Sequence, residues 1–153
     1  MALNDVLIFL VFTTGMVVKG VVYNFTALGA VSDDFSEKTA WKNGELFNST
    51  LAILQKGDVL LFPNTTFYVM GGIIAQNLVN VSLQFDGTII FSNDIKSWPR
   101  TGPTQRAAVL ECLHFINCEL ITFTSSGTGL IDGNGETWYV YNVLSSFVCK
   151  WFI

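Results

Sequence analysis

Charge is what this sequence has least of. Only 13% of its residues are Asp, Glu, Lys or Arg, and the eight basic residues form no cluster. With a formal net charge of −4, the chain offers no electrostatic footprint to a phosphate backbone, which excludes nucleic acid as an expected partner. It has one histidine, His114, and three cysteines, Cys112, Cys118 and Cys149, at spacings that fit no zinc pattern. No metal or cofactor is expected, and at least one thiol stays outside any disulfide. Neither the apolar run near the N-terminus nor the apolar tail reaches the roughly 20 residues of a membrane-spanning helix, so no stable span is expected. Apolar surface, by contrast, is plentiful. Half of the 153 residues are hydrophobic, thirteen of them Phe, enough for one domain that removes roughly 70% of its unfolded surface from water.

The longest uncharged run at the N-terminus, Val6 to Val18, is thirteen residues, the length of a secretory h-region. Residues 1–20 are therefore expected to be a signal peptide or hydrophobic leader cleaved after Gly20. Asp5 stands where such leaders usually carry Lys or Arg, and a buried N-terminal strand or helix is the alternative. Four N-x-S/T sequons, at Asn24, Asn48, Asn64 and Asn80, are candidate glycosylation sites and fit a secreted, extracellular or cell-wall protein. The frequency of Asn in β-turns explains some of them without a glycan.

After the leader, Ala40, Gly44, Phe47, Leu51 and Leu54 recur at steps of four and three. The spacing predicts one face of a helix between Ser36 and Gln55, with Ser36 as N-cap, Gly57 as the stop, and Asn43-Gly44 as a point where it could divide in two. From Asp58 the texture changes to short β-rich runs separated by Gly, Asn, Asp, Pro and Ser. Two of these runs repeat. At an offset of forty without a gap, NLVNVSLQFDGTIIFS from Asn77 aligns with NCELITFTSSGTGLID from Asn117, so that Val81 meets Ile121, Gly87 meets Gly127 and Ile90 meets Leu130. Short strands joined by tight corners suit the stacked turns of a parallel β-helix, with Val81 and Ile121 inward on neighbouring parallel strands. The fold class expected is all-β, with a capping helix. A sandwich would want more two-residue hairpin turns than Asp86-Gly87 and Asn43-Gly44 supply.

Between Tyr23 and Tyr139 the sequence resembles the N-terminal third of a plant-type polygalacturonase, a pectin-hydrolysing glycosidase of the pectin-lyase-like superfamily. The likeness rests on GAVSDD near the start, on GDVLLFPNTTFYV and NLVNVSLQFDGTIIFS, and above all on GTGLIDGNGETWY. There the family's glycine-rich turn is matched by Gly127, Gly129, Ile131, Asp132, Gly133, Gly135 and Trp138, with Tyr139 in place of a second Trp. The resemblance implies a right-handed parallel β-helix, of which residues 21–139 are the cap and first coils. It also implies inverting hydrolysis of α-1,4-galacturonosyl bonds, with pectin or a related acidic cell-wall polysaccharide as partner. None of the family's catalytic motifs, N-T-D, D-D, G-H-G and R-I-K, stands at a matching place. Residues 140–153 form a divergent apolar tail where a family member would continue into further coils.

The residues themselves lead to the same reading. Inverting hydrolysis needs two carboxyl groups roughly 6.5–9.5 Å apart across one bond, and the candidates are Asp58, Asp86, Asp94, Asp132, Glu111 and Glu119. Asp58, Asp86 and Asp132 adjoin glycines at corners, where an Asp caps its own backbone. Asp132 is accordingly read as a corner residue, and no catalytic residue is assigned. His114 is expected to point outward, without a partner. Trp138 is read as packing, whereas Trp98, in a loop with Lys96 and Arg100, is expected to project toward an acidic polysaccharide. Two alternatives to a glycosidase remain: a non-catalytic polysaccharide-binding or structural glycoprotein, and a small membrane-attached protein.

Overall fold

The computed structural model describes residues 20–104, 106–141 and 150–152. All but Gly20 of the leader, and residues 142–149 and 153 of the tail, lie outside them.

Among the described residues, ten strands and two helices follow one another as β1 (Val22–Asn24), α1 (Glu37–Leu51), β2 (Val59–Phe62), β3 (Thr66–Val69), β4 (Ile73–Gln76), β5 (Ser82–Phe85), β6 (Thr88–Phe91), β7 (Leu113–Ile116), β8 (Thr122–Thr124), β9 (Leu130–Asp132), α2 (Glu136–Tyr141) and β10 (Lys150–Phe152). Apart from β1 with β2 and β9 with β10, successive strands do not pair. They are dealt in rotation to three sheets, ordered β1-β2-β5-β8, β3-β6-β9-β10 and β4-β7. Every pairing is parallel except that of β10 with β9. Strands of three or four residues suffice because each turn rests on the one before it.

Register shows how the forty-residue repeat arises. Ile73 lies opposite Leu113, and Ser82 opposite Thr122, both forty positions on. Thr122 N–H donates to Val81 O at 3.0 Å; Val81 is buried and Ile121 packs against the same core, as the repeat predicted. The preceding turn is much shorter, for Val59 lies opposite Ser82 and Thr66 opposite Thr88. The difference is the long arm between β6 and β7. The ungapped alignment fails at the next corner, because Thr88 pairs with Leu130 and Ile90 with Asp132, two positions later than the repeat predicted. Ser125 to Gly129 form a wider corner than Asp86-Gly87. Its extra residues are held by Ser125 Oγ, which accepts from Gly127 N–H at 3.1 Å and Gly129 N–H at 3.0 Å, and by Asp86, which accepts from Ser126 N–H at 2.8 Å.

Ser36 caps α1, its Oγ accepting from Thr39 N–H at 3.2 Å. The helix does not divide at Asn43-Gly44. Asn43 is fully buried and its amide is satisfied by Val31 and Tyr68, while Gly44 lets the helix approach β3 so closely that an added Cβ would lie 2.9 Å from Met70 O. Nor does Gly57 end it. The C-cap is Ala52, and Gly57, at φ +92°, turns the chain so that its N–H reaches Asn80 O.

The core runs along the stack as a file of aromatic rings. Phe25 meets Phe62 at 4.7 Å, Phe62 lies on Phe85 at 4.8 Å with planes 6° apart, and Phe85 meets Phe123 at 5.9 Å. The apolar excess of the composition is spent here, each buried Phe being worth about 3–5 kcal/mol against truncation to Ala.

Candidate functional site

The β4-β7 sheet turns a mixed surface outward. Alternation buries Ile73 and Ala75 and leaves Ile74 and Gln76 exposed, and the same alternation on β7 puts His114 outside, beside Ile74. One wall of a shallow cavity of about 280 Å³ is built from these strands, with Gly72, Ile74, His114 and Ile116. Thr101 and Leu110 of the arm form the other wall, and Glu111 stands at the rim. An apolar floor with a few polar groups is the usual character of a small-ligand site.

The arm stands firm because its own polar groups hold it. Arg100 and Val109 bridge antiparallel, and the Arg100 guanidinium donates to Ala107 O at 3.0 Å and Ile95 O at 3.1 Å. Trp98, contrary to expectation, does not project toward a ligand. It is 5% exposed, sits edge-on to Trp138 at 5.0 Å and donates its indole N–H to Leu110 O at 2.7 Å. A large ring between polar neighbours reads as exposed in the sequence; here it anchors the arm. Arg100 is likewise spent inside the arm, while Lys96 is exposed.

His114 does face solvent, but it has a partner. Its Nδ1 lies 3.2 Å from Glu111 Oε2, and both side chains are substantially exposed. Glu111 is held below its ordinary value, first by its own backbone N–H and then by His114. So open a pair contributes little stability, which leaves both groups available to a ligand. Sequence reasoning treated the two separately; their i, i+3 spacing across the start of a strand gave no periodic signal to join them.

Among the other candidate carboxylates, Glu119 is exposed, whereas the aspartates are engaged in turns. Asp58 is buried and accepts from Val21 N–H at 2.8 Å and Gln55 N–H at 2.7 Å. Asp132 Oδ1 accepts from Asn134 N–H at 2.8 Å, a local Asx turn. Asp34 is held low chiefly by the Thr39 hydroxyl, and Asp86 by Ser126 N–H. Burial pushes Asp94 up, but bonds from Ser97 and Lys96 outweigh it and leave this group low as well. A general acid needs the opposite displacement. In the glycine-rich stretch, Gly129 has no room for a Cβ beneath Phe85 O, Gly127 is open, Gly133 is buried, and Gly135 begins the turn into α2. Trp138 packs on the core side, against Trp98.

The four sequons fall in unlike places. Asn64 and Asn80 are exposed. Asn24 ends β1 and accepts from Ala27 N–H at 3.1 Å. Asn48 lies within α1 with both ends of its amide engaged, donating to Gly72 O at 3.1 Å and accepting from Ile74 N–H at 2.8 Å. Among the described residues no group of His, Cys, Asp and Glu could hold a metal ion, and no helix is long and apolar enough to cross a membrane.

No family model matches the chain, and no solved structure matches it. It is similar to the putative galacturan 1,4-alpha-galacturonidase C of Aspergillus niger (strain ATCC MYA-4892 / CBS 513.88 / FGSC A1513), 29% identical over 83 residues, which are 54% of this chain and 20% of that protein. The matched stretch spans about a fifth of the length of this curated relative, whose name describes a galacturonidase acting on galacturan.

Proposed function

We propose that this chain is the cap and first coils of a right-handed parallel β-helix of the plant-type polygalacturonase kind, secreted and N-glycosylated, directed at pectin-type galacturonan. The observation that carries the reading is one conjunction. A chain similar to a galacturonidase deals its parallel strands in rotation to three sheets, and it sets the glycine-rich turn at Gly127 to Trp138 where the third round closes. The open face of β4 and β7, with Ile74, His114 and Glu111, is the surface on which a polysaccharide would lie. Ile74 offers apolar contact to a sugar ring, and His114 is the group best placed to meet a uronate carboxylate.

By itself the chain binds and does not cleave. Hydrolysis by inversion needs a carboxylic acid that stays protonated and a second carboxylate across the bond. Asp34, Asp86, Asp94 and Glu111 are all displaced toward the ionised form, and Asp58 and Asp132 are tied to backbone N–H groups. Purified chain incubated with polygalacturonan should release no reducing ends above a blank, beside a full-length polygalacturonase as positive control, while retaining the polymer in affinity electrophoresis. Cleavage abolished by Asp132→Asn without unfolding would make Asp132 catalytic and overturn the non-hydrolytic reading. Failure to retain galacturonan would favour a purely structural glycoprotein.

A further inference from the structure

The cavity between the arm and the β4-β7 sheet is nearly bare of charge. Among the described residues that line it, Glu111 and His114 are titratable, and Gly72, Ile74, Thr101, Leu110 and Ile116 are not. The charged groups of the neighbouring elements stay outside. Arg100 gives its guanidinium to Ala107 O and Ile95 O within the arm, while Lys96 and Arg106 of the arm are exposed and line no part of the cavity. Glu45 of α1 and Glu119 beyond β7 are exposed and line no part of it either. Cys112, at the entry to β7, packs against the core.

The cation that this lining can offer an acidic ligand is therefore the imidazolium of His114, and a carboxylate of the chain itself already faces it. His114 Nδ1 lies 3.2 Å from Glu111 Oε2, with the two side chains 44% and 62% exposed. A uronate that approaches the imidazole has two routes. It takes the place of Glu111 at Nδ1, or it meets Nε2 with the Glu111 charge across the ring. On either route two carboxylates contend for one cation.

We propose that Glu111 is a built-in competitor for the ligand's carboxylate at His114, so that the cavity takes up free uronate on acidification and releases it as pH rises. This rests on the galacturonan reading of the cavity and adds to it the form of the sugar: the residue seated here is de-esterified. With the imidazole protonated, the pair is neutral overall and the uronate exchanges with Glu111. With the imidazole neutral, the lining carries one negative charge and repels the ligand. Imidazole is the side chain that changes charge between pH 5 and 8, so affinity for the acid falls across that interval.

Titration calorimetry of the full chain with a galacturonan oligosaccharide, at about pH 5.5 and about pH 8, tests this, with the methyl ester of the same oligosaccharide as control. Wild type should bind the free acid about fivefold more tightly at the lower pH, and the ester should show no such difference. Glu111→Gln keeps the shape of the rim and should bind the free acid about threefold more tightly than wild type at the lower pH. A residue that merely touched the sugar would lose affinity on replacement. His114→Gln should abolish the pH dependence. In the ligand-free chain, the imidazole titration followed by NMR should move to lower pH in Glu111→Gln, because a facing carboxylate holds the proton on the ring. Wild-type binding that ignores pH, a Glu111→Gln chain that binds the acid no more tightly, or an imidazole titration indifferent to Glu111 would each overturn the competitor and leave the galacturonan reading standing. Absence of binding at both pH values, in wild type and in Glu111→Gln alike, would end both.

Discussion

Replacing Asn43 by Ala tests how the cap is attached, because this one side chain joins three segments. Its Oδ1 accepts from Val31 N–H at 2.9 Å, and its Nδ2 donates to Val31 O at 2.8 Å and Tyr68 O at 2.9 Å. Truncation leaves three backbone groups without a partner. Tyr68 O is deeply placed and loses its bond outright, at about 1–3 kcal/mol. The two Val31 groups are half-exposed and recover part of the loss from water. Alanine's better helix propensity returns about 0.5 kcal/mol. The expected net loss is about 2–3 kcal/mol, read as a lower urea midpoint in tryptophan fluorescence at unchanged slope. Asn43→Asp sharpens the test. Aspartate keeps the acceptor for Val31 N–H but sets a carboxylate against two carbonyl oxygens, which raises its folded pKa. The folded state then holds the proton more tightly, so the variant should lose stability, relative to wild type, as pH rises above about 4. Lys42→Ala, on the exposed side of the same helix, should change stability by less than about 0.5 kcal/mol. An Asn43→Ala chain as stable as Lys42→Ala, or an Asn43→Asp chain without pH dependence, would refute the reasoning.

Leu120 sits in the left-handed region at φ +55° and is 74% exposed, where the preceding turn has Asn80 at φ +53°; Leu120→Asn should raise stability by about 1 kcal/mol in the same urea assay. Asp132→Asn keeps the acceptor of the Asx turn and should be nearly neutral in thermal unfolding, whereas Asp132→Ala should lose about 1 kcal/mol. Mass spectrometry of chain secreted from a eukaryotic host should find glycan on Asn64 and Asn80 and none on Asn48, whose Nδ2 already serves Gly72 O. Asp34, Asp86 and Asp94 lie below their ordinary 3.8 and Glu111 below its ordinary 4.5. Their stabilisation is therefore complete above those values and should be lost as pH falls through the lower folded ones; Asp86→Asn should flatten part of that slope in acid titrations followed by circular dichroism.

Where local rules and tertiary contacts agree, the sequence was legible. Ser36 was recognisable as an N-cap because its bond to Thr39 is local, and the pairing of β7 and β8 with their predecessors was visible because Asn77 and Asn117 both occupy the left-handed region, at φ +56° and +50°. An Asn that recurs there marks the corner in sequence as in space. The shorter turn from β2 to β5 was harder to see, since the arm between β6 and β7 stretches one repeat and leaves the other unstretched. Asn43-Gly44 suggested a break because the pair is usual in turns; packing on Met70 and bonding to Val31 decided otherwise. The burial of Trp98 could not be read from a loop rich in Pro, Lys and Arg, because Trp138, the ring that receives it, lies forty positions away. Glu111 and His114 were each visible as candidates, but their contact depends on how the chain enters β7, which no pattern in the sequence specifies.

The measurement that bears most directly on the proposed function is amide chemical-shift mapping of the labelled chain titrated with a galacturonan oligosaccharide. The account predicts saturable shifts gathered at Gly72, Ile74, Thr101, Glu111 and His114, lost in Ile74→Asp and absent with a neutral glucan of the same length. Shifts gathered elsewhere, an equal response to the neutral glucan, or no response at all would contradict it.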